Sequence, residues 1–217
     1  MHEFVKLAFV RTTGVRIPPG PSFMFKRRDL EKLYKSGLSQ MEMSEKLRCS
    51  HGKITYWMKK YNLPCRARRD AMYIKYNPNG DPFKIKKRLN QKEIELKGMG
   101  IGLYWGEGTK ADKCSVRLAN TNPMLIEKFI EFLIKVCGVK KTDLRFGLQI
   151  FNDMNPQEIL NFWLNELKVK PERFYKLTIT PARSIGKYRS KTKHGVLTVY
   201  YHNRKLRDIL YEWTLPG

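Results

Sequence analysis

Acidic residues are scarce in this chain: 20 Asp and Glu stand against 43 Lys and Arg among 217 residues, a formal net charge of +23. The shortage excludes an electrically balanced surface and makes the charge itself a statement about partners. Cysteine is equally sparse. The four, at positions 49, 65, 114 and 137, form no CxxC pair and stand near no His at zinc-ligand spacing, so neither a disulfide framework nor a zinc site is expected, and reduced thiols in a cytoplasmic protein fit best. No uninterrupted apolar run approaches the roughly 20 residues of a membrane span. The best candidate, FIEFLIKVCGV, carries Glu131 and Lys135 within it. The short run Leu7 to Val10 lacks the h-region and cleavage pattern of a secretion signal. What is plentiful is core material, with 41% hydrophobic and 12% aromatic residues, enough for one large domain or two small ones.

The positive charge is spread over both halves: residues 1–97 carry 23 basic and 9 acidic side chains, residues 98–217 carry 20 and 11. Basic residues interleave with Tyr, Trp, Thr and His rather than forming one tail. That pattern favours a polyanion partner, because phosphate neutralisation releases condensed counterions, over a merely solubilising surface or an anionic membrane patch. The segment GVRIPPGP (Gly14 to Pro21) resembles a translated tRNA-gene 3′ arm, a reading that makes Met24 the start. Residues 1–25 are expected to be a disordered or non-native arm.

Residues 26–65 read as three short helices. DLEKLYKSG places Leu30, Leu33 and Tyr34 at helical spacing before Gly37. SQMEMSEKL offers a capping box, Ser39 with Glu42, and Ser50 caps HGKITYWMKKYNL, which Pro64 ends. These residues resemble the resolvase and homeodomain-like helix-turn-helix family, with Leu38, Met43, Leu47, Cys49, Ile54 and Trp57 on its core positions; Ser44 stands where Ala is usual, and Arg48 where Gly commonly makes the turn. The resemblance implies a third helix in the DNA major groove, with Ser50, His51, Lys53, Thr55, Tyr56 and Lys59 as candidates for base or phosphate contact. A helical bundle with a merely basic third helix is the alternative. Residues 66–92, with nine Lys and Arg including Arg66, Arg68 and Arg69, and the turn-rich YNPNGDP, read as a basic linker that tracks DNA or as a plain flexible tether.

Residues 93–217 form the expected second domain. Its opening helix runs into GMGIGLYWGEGTK, where each glycine costs a helix about 1 kcal/mol relative to Ala and so demands a compensating role. Gly102 and Gly106, at i and i+4, offer one face on which a second helix can approach closely, and Gly108 reads as a C-terminal cap. GIGLYWGEG (Gly100 to Gly108) resembles the LAGLIDADG homing-endonuclease nonapeptide, with Gly102 and Gly106 on its helix-packing positions and Glu107 on its acid. The resemblance implies that Glu107 is catalytic and binds a divalent metal, Mg²⁺, in a site shared two-fold. With one motif copy, it implies a homodimer.

The remaining pattern predicts an α+β fold with about four strands, at CSVRLAN, DLRFGLQIF, FYKLTIT and GVLTVYY, and helices on one face. Only Thr109 to Thr121 separate the motif helix from the next, leaving room for one strand where the family half has a hairpin. The open face is expected to present Arg117, Arg145, Gln149, Lys176, Thr178 and Thr198 as DNA contacts; the basic loop offers Lys187, Arg189, Lys193 and His194 either for the auxiliary role beside the metals that the resemblance implies or as phosphate contacts. The leading expectation is a site-specific, metal-dependent double-stranded DNA endonuclease of a mobile element, cytoplasmic and nucleoid-associated. The alternative is a non-cleaving regulator of the WhiA type, which resembles such endonucleases. An RNA-binding module fits less well, since no RRM, KH or dsRBD signature is present.

Overall fold

The computed structural model describes residues 24–64, 66–182 and 192–215, and of Arg68 only the backbone. The expected arm therefore lies almost wholly outside the described residues. The chain divides into two compact units between Gly80 and Asp81.

The first unit holds four helices, α1 (Arg27–Lys35), α2 (Gln40–Lys46), α3 (His51–Lys60) and α4 (Arg68–Tyr76). Gly37 closes α1 with φ +85°, a conformation that favours glycine. The Ser39–Glu42 capping box is present in full, and the Ser50 hydroxyl accepts from Lys53 N. Arg48 makes the turn between α2 and α3 with φ 49°, a left-handed position taken here by a side chain in place of glycine. Leu30, Met43, Ile54, Trp57 and Met58 are buried together, with Leu38, Leu47 and Cys49 packed against them.

The expected linker is where sequence and structure part. Ala71 of α4 is buried, Ile74 lies against Gly37, and Lys75 pairs with Glu42, so residues 66–76 belong to the first unit. Residues 81–89 belong to the second: Phe83 enters its core, with Ile85 and Leu89 packed against it, and Lys84 N and Lys86 N donate to Cys137 O and Val136 O at 3.1 and 2.9 Å. A few apolar anchors override the basic, turn-rich composition. The second unit thus begins at Asp81 rather than at residue 93.

That unit runs α5 (Gln91–Glu107), β1 (Val116–Asn120), α6 (Pro123–Lys135), β2 (Arg145–Phe151), α7 (Pro156–Leu167), β3 (Thr178–Thr180), β4 (Val196–Tyr201) and α8 (Arg204–Trp213). The sheet order is β1-β4-β2-β3, antiparallel except for the parallel β2–β3 pair. Strict alternation sends Val116, Leu118, Phe146, Leu148, Ile150, Leu197, Val199 and Tyr201 into one core with Ile126, Phe129, Trp163 and Leu206 of the helices. The fold is α+β, with helices on one sheet face and, among the described residues, none on the other. Among the described residues no helix is long and apolar enough to cross a membrane.

Candidate functional site

On α3 the apolar stripe Ile54, Trp57 and Met58 turns inward, leaving His51, Thr55, Tyr56 and Lys59 on one exposed face. Tyr56 is 60% exposed, high for an aromatic residue. Three of the expected contacts at this helix have local duties as well. Ser50 is its cap, Lys53 Nζ lies 5.3 Å from the Phe25 ring centroid, and Thr55 Oγ1 is bonded to His51 O and Gln40 Oε1. Arg66, another expected DNA contact, stacks at 3.8 Å over Tyr34 and donates to Tyr34 O. Arg69 is exposed beside Asp70, while the Arg68 side chain, Lys187 and Arg189 lie outside the described residues.

In the second unit, α5 starts from a capping box, Asn90 with Glu93. Its glycines divide by role. A Cβ on Gly100 would lie 2.1 Å from Phe132 Cγ of α6, so this is the position of close approach within the chain. For Gly98, Gly102 and Gly106, nothing among the described residues beyond the helix's own backbone and the adjoining residues lies within 4 Å of such a Cβ. They share an outward face with Ile94, Met99 and Trp105, the last 68% exposed. Gly108 ends the helix without the left-handed conformation expected of a glycine cap (φ −72°); its constraint is steric, since a Cβ would meet Tyr104 O at 2.3 Å.

Glu107 is the last residue of α5 and is exposed, and among the described residues no hydrogen bond or ion pair engages its carboxylate. The chain then turns at once into the sheet, with Gly108 bridging Leu118 and Thr109 N donating to Arg117 O at 3.0 Å. The loop between is held by Arg207 of α8, a buried arginine whose Nε and Nη2 donate to Asp112 O (3.0 Å) and Lys110 O (2.6 Å).

The open sheet face carries Arg117, Arg145, Gln149, Thr178 and Thr198, all expected there; cross-strand register aligns Arg117, Tyr200 and Arg145 in one row. Lys176 lies outside the ladder, exposed in the segment before β3. Lys193 is exposed in a turn, whereas His194 stacks on Phe162 with 3.6 Å between centroids. No known family model matches the chain, and neither a curated protein nor a solved structure is detectably similar to it.

Three side chains of the open face had no sequence signal. Tyr175, Tyr200 and His202 gather there, with Tyr175 Oη 2.6 Å from His202 Nε2, and Asp112 pairs with Arg117 Nε at 2.5 Å. Partial desolvation beside the Tyr175 and Tyr200 rings, reinforced by the Arg117 charge, holds the exposed His202 imidazole below its ordinary range, with Asp112 opposing.

Proposed function

We propose that the chain is a two-part DNA-binding protein in which a helix-turn-helix precedes a LAGLIDADG-like domain, and that it acts as a metal-dependent, site-specific DNA endonuclease working as a homodimer. The observation that carries this reading is α5. Its outward face bears Gly98, Gly102 and Gly106 with open space above them, flanked by Ile94, Met99 and Trp105, and it ends on an unengaged carboxylate, Glu107. Internal glycines weaken a helix by about 1 kcal/mol each, and close approach of a second backbone is the compensation they permit. A two-fold axis along this face would bring two copies of Glu107 together.

Mg²⁺ fits that arrangement, since it takes one or two carboxylates and completes its shell with water and phosphate oxygens. Exposed, unpaired Glu107 is free to serve, one from each protomer. The ion, when bound, polarises a phosphate oxygen and acidifies water. The chain's own contribution is placement: His51, Tyr56 and Lys59 on one unit and Arg117, Arg145 and Gln149 on the other hold the duplex by backbone and base edges.

The test is incubation of the full chain with a supercoiled plasmid library and Mg²⁺, beside Glu107→Gln. Cleavage by the wild type, lost in the variant by at least about a hundredfold, is the expected result. No cleavage at any site sinks the nuclease and leaves the non-cleaving regulator.

A further inference from the structure

We propose that Arg117, Arg145 and His202 build a phosphate-binding site at one end of the open sheet face, and that its ligand is a backbone phosphodiester of DNA. The choice of DNA rests on the reading above; the site itself rests on the following geometry.

Tyr200 on β4 is the register partner of both Arg117 on β1 and Arg145 on β2, so two guanidinium-bearing side chains flank one ring in a single cross-strand row. The ring lies toward Gly147, where a Cβ would come within 3.0 Å of it, and Arg117 Cζ is 5.1 Å from its centroid. The two arginines differ in their engagement. Arg117 is oriented through Nε by Asp112 and Ser115 Oγ (2.9 Å), and Asp112 is itself fixed by Cys114 N and Ser115 Oγ, both at 2.7 Å. Arg145 has a buried Nη1 with no hydrogen-bond partner among the described residues. A buried guanidinium N–H without an acceptor is unfavourable, and the planar fork of arginine matches phosphate oxygens.

Asp112 offsets only one of the two cations. The site thus carries an excess of positive charge with an unmet donor. His202 adds a proton-dependent third member. The groups facing its ring are Tyr175 from the segment before β3, Tyr200 on β4, Arg117 and Asp112 from β1 and the turn before it, and Arg145 on β2. A phosphate that neutralises the arginines removes their repulsion of a charged imidazole, so binding takes up a proton at His202.

Two measurements on the full chain test this. First, inorganic phosphate is added while the His202 ring signals are followed by NMR through a pH titration: the midpoint rises in the wild type and stays fixed in Arg145→Gln. An unmoved wild-type midpoint overturns the site without reference to any variant. Second, binding to duplex DNA is measured against salt at about pH 8, where His202 is neutral. Arg145→Gln and Arg117→Gln each reduce the slope of log affinity on log salt by about 0.9. His202→Gln keeps the slope and loses the tightening seen on acidification to about pH 6. A phosphate response with unchanged slopes in both arginine variants overturns the DNA assignment. Reduced slopes in a protein that cleaves nothing support the site while the nuclease fails, so the two readings separate.

Discussion

Gly100 of α5 faces the ring of Phe132 on α6 so closely that a Cβ would sit 2.1 Å from Cγ, whereas Gly102, two residues on, faces open space. Two glycines of one motif thus have opposite duties, and alanine distinguishes them. Gly100→Ala should destabilise the second unit by about 1–3 kcal/mol through overpacking. Gly102→Ala should gain about 1 kcal/mol of helix propensity in the isolated chain and weaken the proposed self-association. Thermal unfolding with sedimentation reads both. Equal destabilisation by the two would refute the division of roles.

The glycine-rich helix was legible in nine residues, but not which glycine served its own chain, because that depends on where α6 crosses α5. Alternation likewise marked the faces of β1, β2 and β4, while the row through Tyr200 needed strand register, a non-local quantity. Asp112, Tyr175 and His202 are far apart in sequence and meet only once β1, β4 and the segment before β3 are aligned. The Asn90–Glu93 box has the same reciprocal pairing as Ser39–Glu42, with Asn in place of Ser as the capping residue. Residues 66–92 misled for a plain reason: nine cations and a cluster of turn formers outweigh, by count, the few apolar side chains that dock them.

Lys75 of α4 reaches the carboxylate of Glu42, which also completes the α2 capping box. The Lys75 hydrogen bond, followed by those of Ser39, lowers the Glu42 pKa from 4.5 to about 2. A depressed carboxylate pKa stabilises the fold above its unfolded value, and that contribution is lost as pH falls from about 4.5 toward 2. Lys75→Met should therefore flatten the acid limb of the first unit's stability between those values. The difference should shrink in high salt, since the pair is solvent-accessible. Chemical denaturation at stepped pH checks it, and parallel acid limbs in wild type and variant would count against the pair.

Arg48 holds the α2–α3 turn at φ 49°, where an L side chain is strained by about 1–2 kcal/mol. Arg48→Gly relieves that strain but gives the unfolded chain more freedom, leaving a net gain of about 0.5–1 kcal/mol. Its effect on DNA is separable. If Arg48 contacts phosphate, the variant melts higher yet binds with a shallower salt dependence; if it serves only the turn, binding is unchanged.

Arg207 is the strongest lever on Glu107 that leaves the carboxylate in place. The residue is 7% exposed, and its guanidinium donates to the carbonyls of Lys110 and Asp112, with Asp208 beside Nη1 at 3.1 Å and the Tyr211 ring 4.7 Å from Cζ. Those carbonyls belong to the turn that follows α5, so the arginine fixes both the exit of the Glu107 helix and the Asp112 that orients Arg117. Arg207→Met preserves the stem and removes the donors, leaving two carbonyls short of partners in a partly buried place. Charged hydrogen bonds of this kind contribute about 1.5–3 kcal/mol, and a loss in that range is expected on denaturation. On the proposed nuclease reading, cleavage should fall further than stability explains, because catalytic groups must stay within a fraction of an ångström of their working positions. Arg207→Lys, which keeps the charge but not the fork, should recover stability in part and cleavage hardly at all. If cleavage instead tracks the folded fraction in both variants, Arg207 supports the fold alone and Glu107 is positioned by α5 without it.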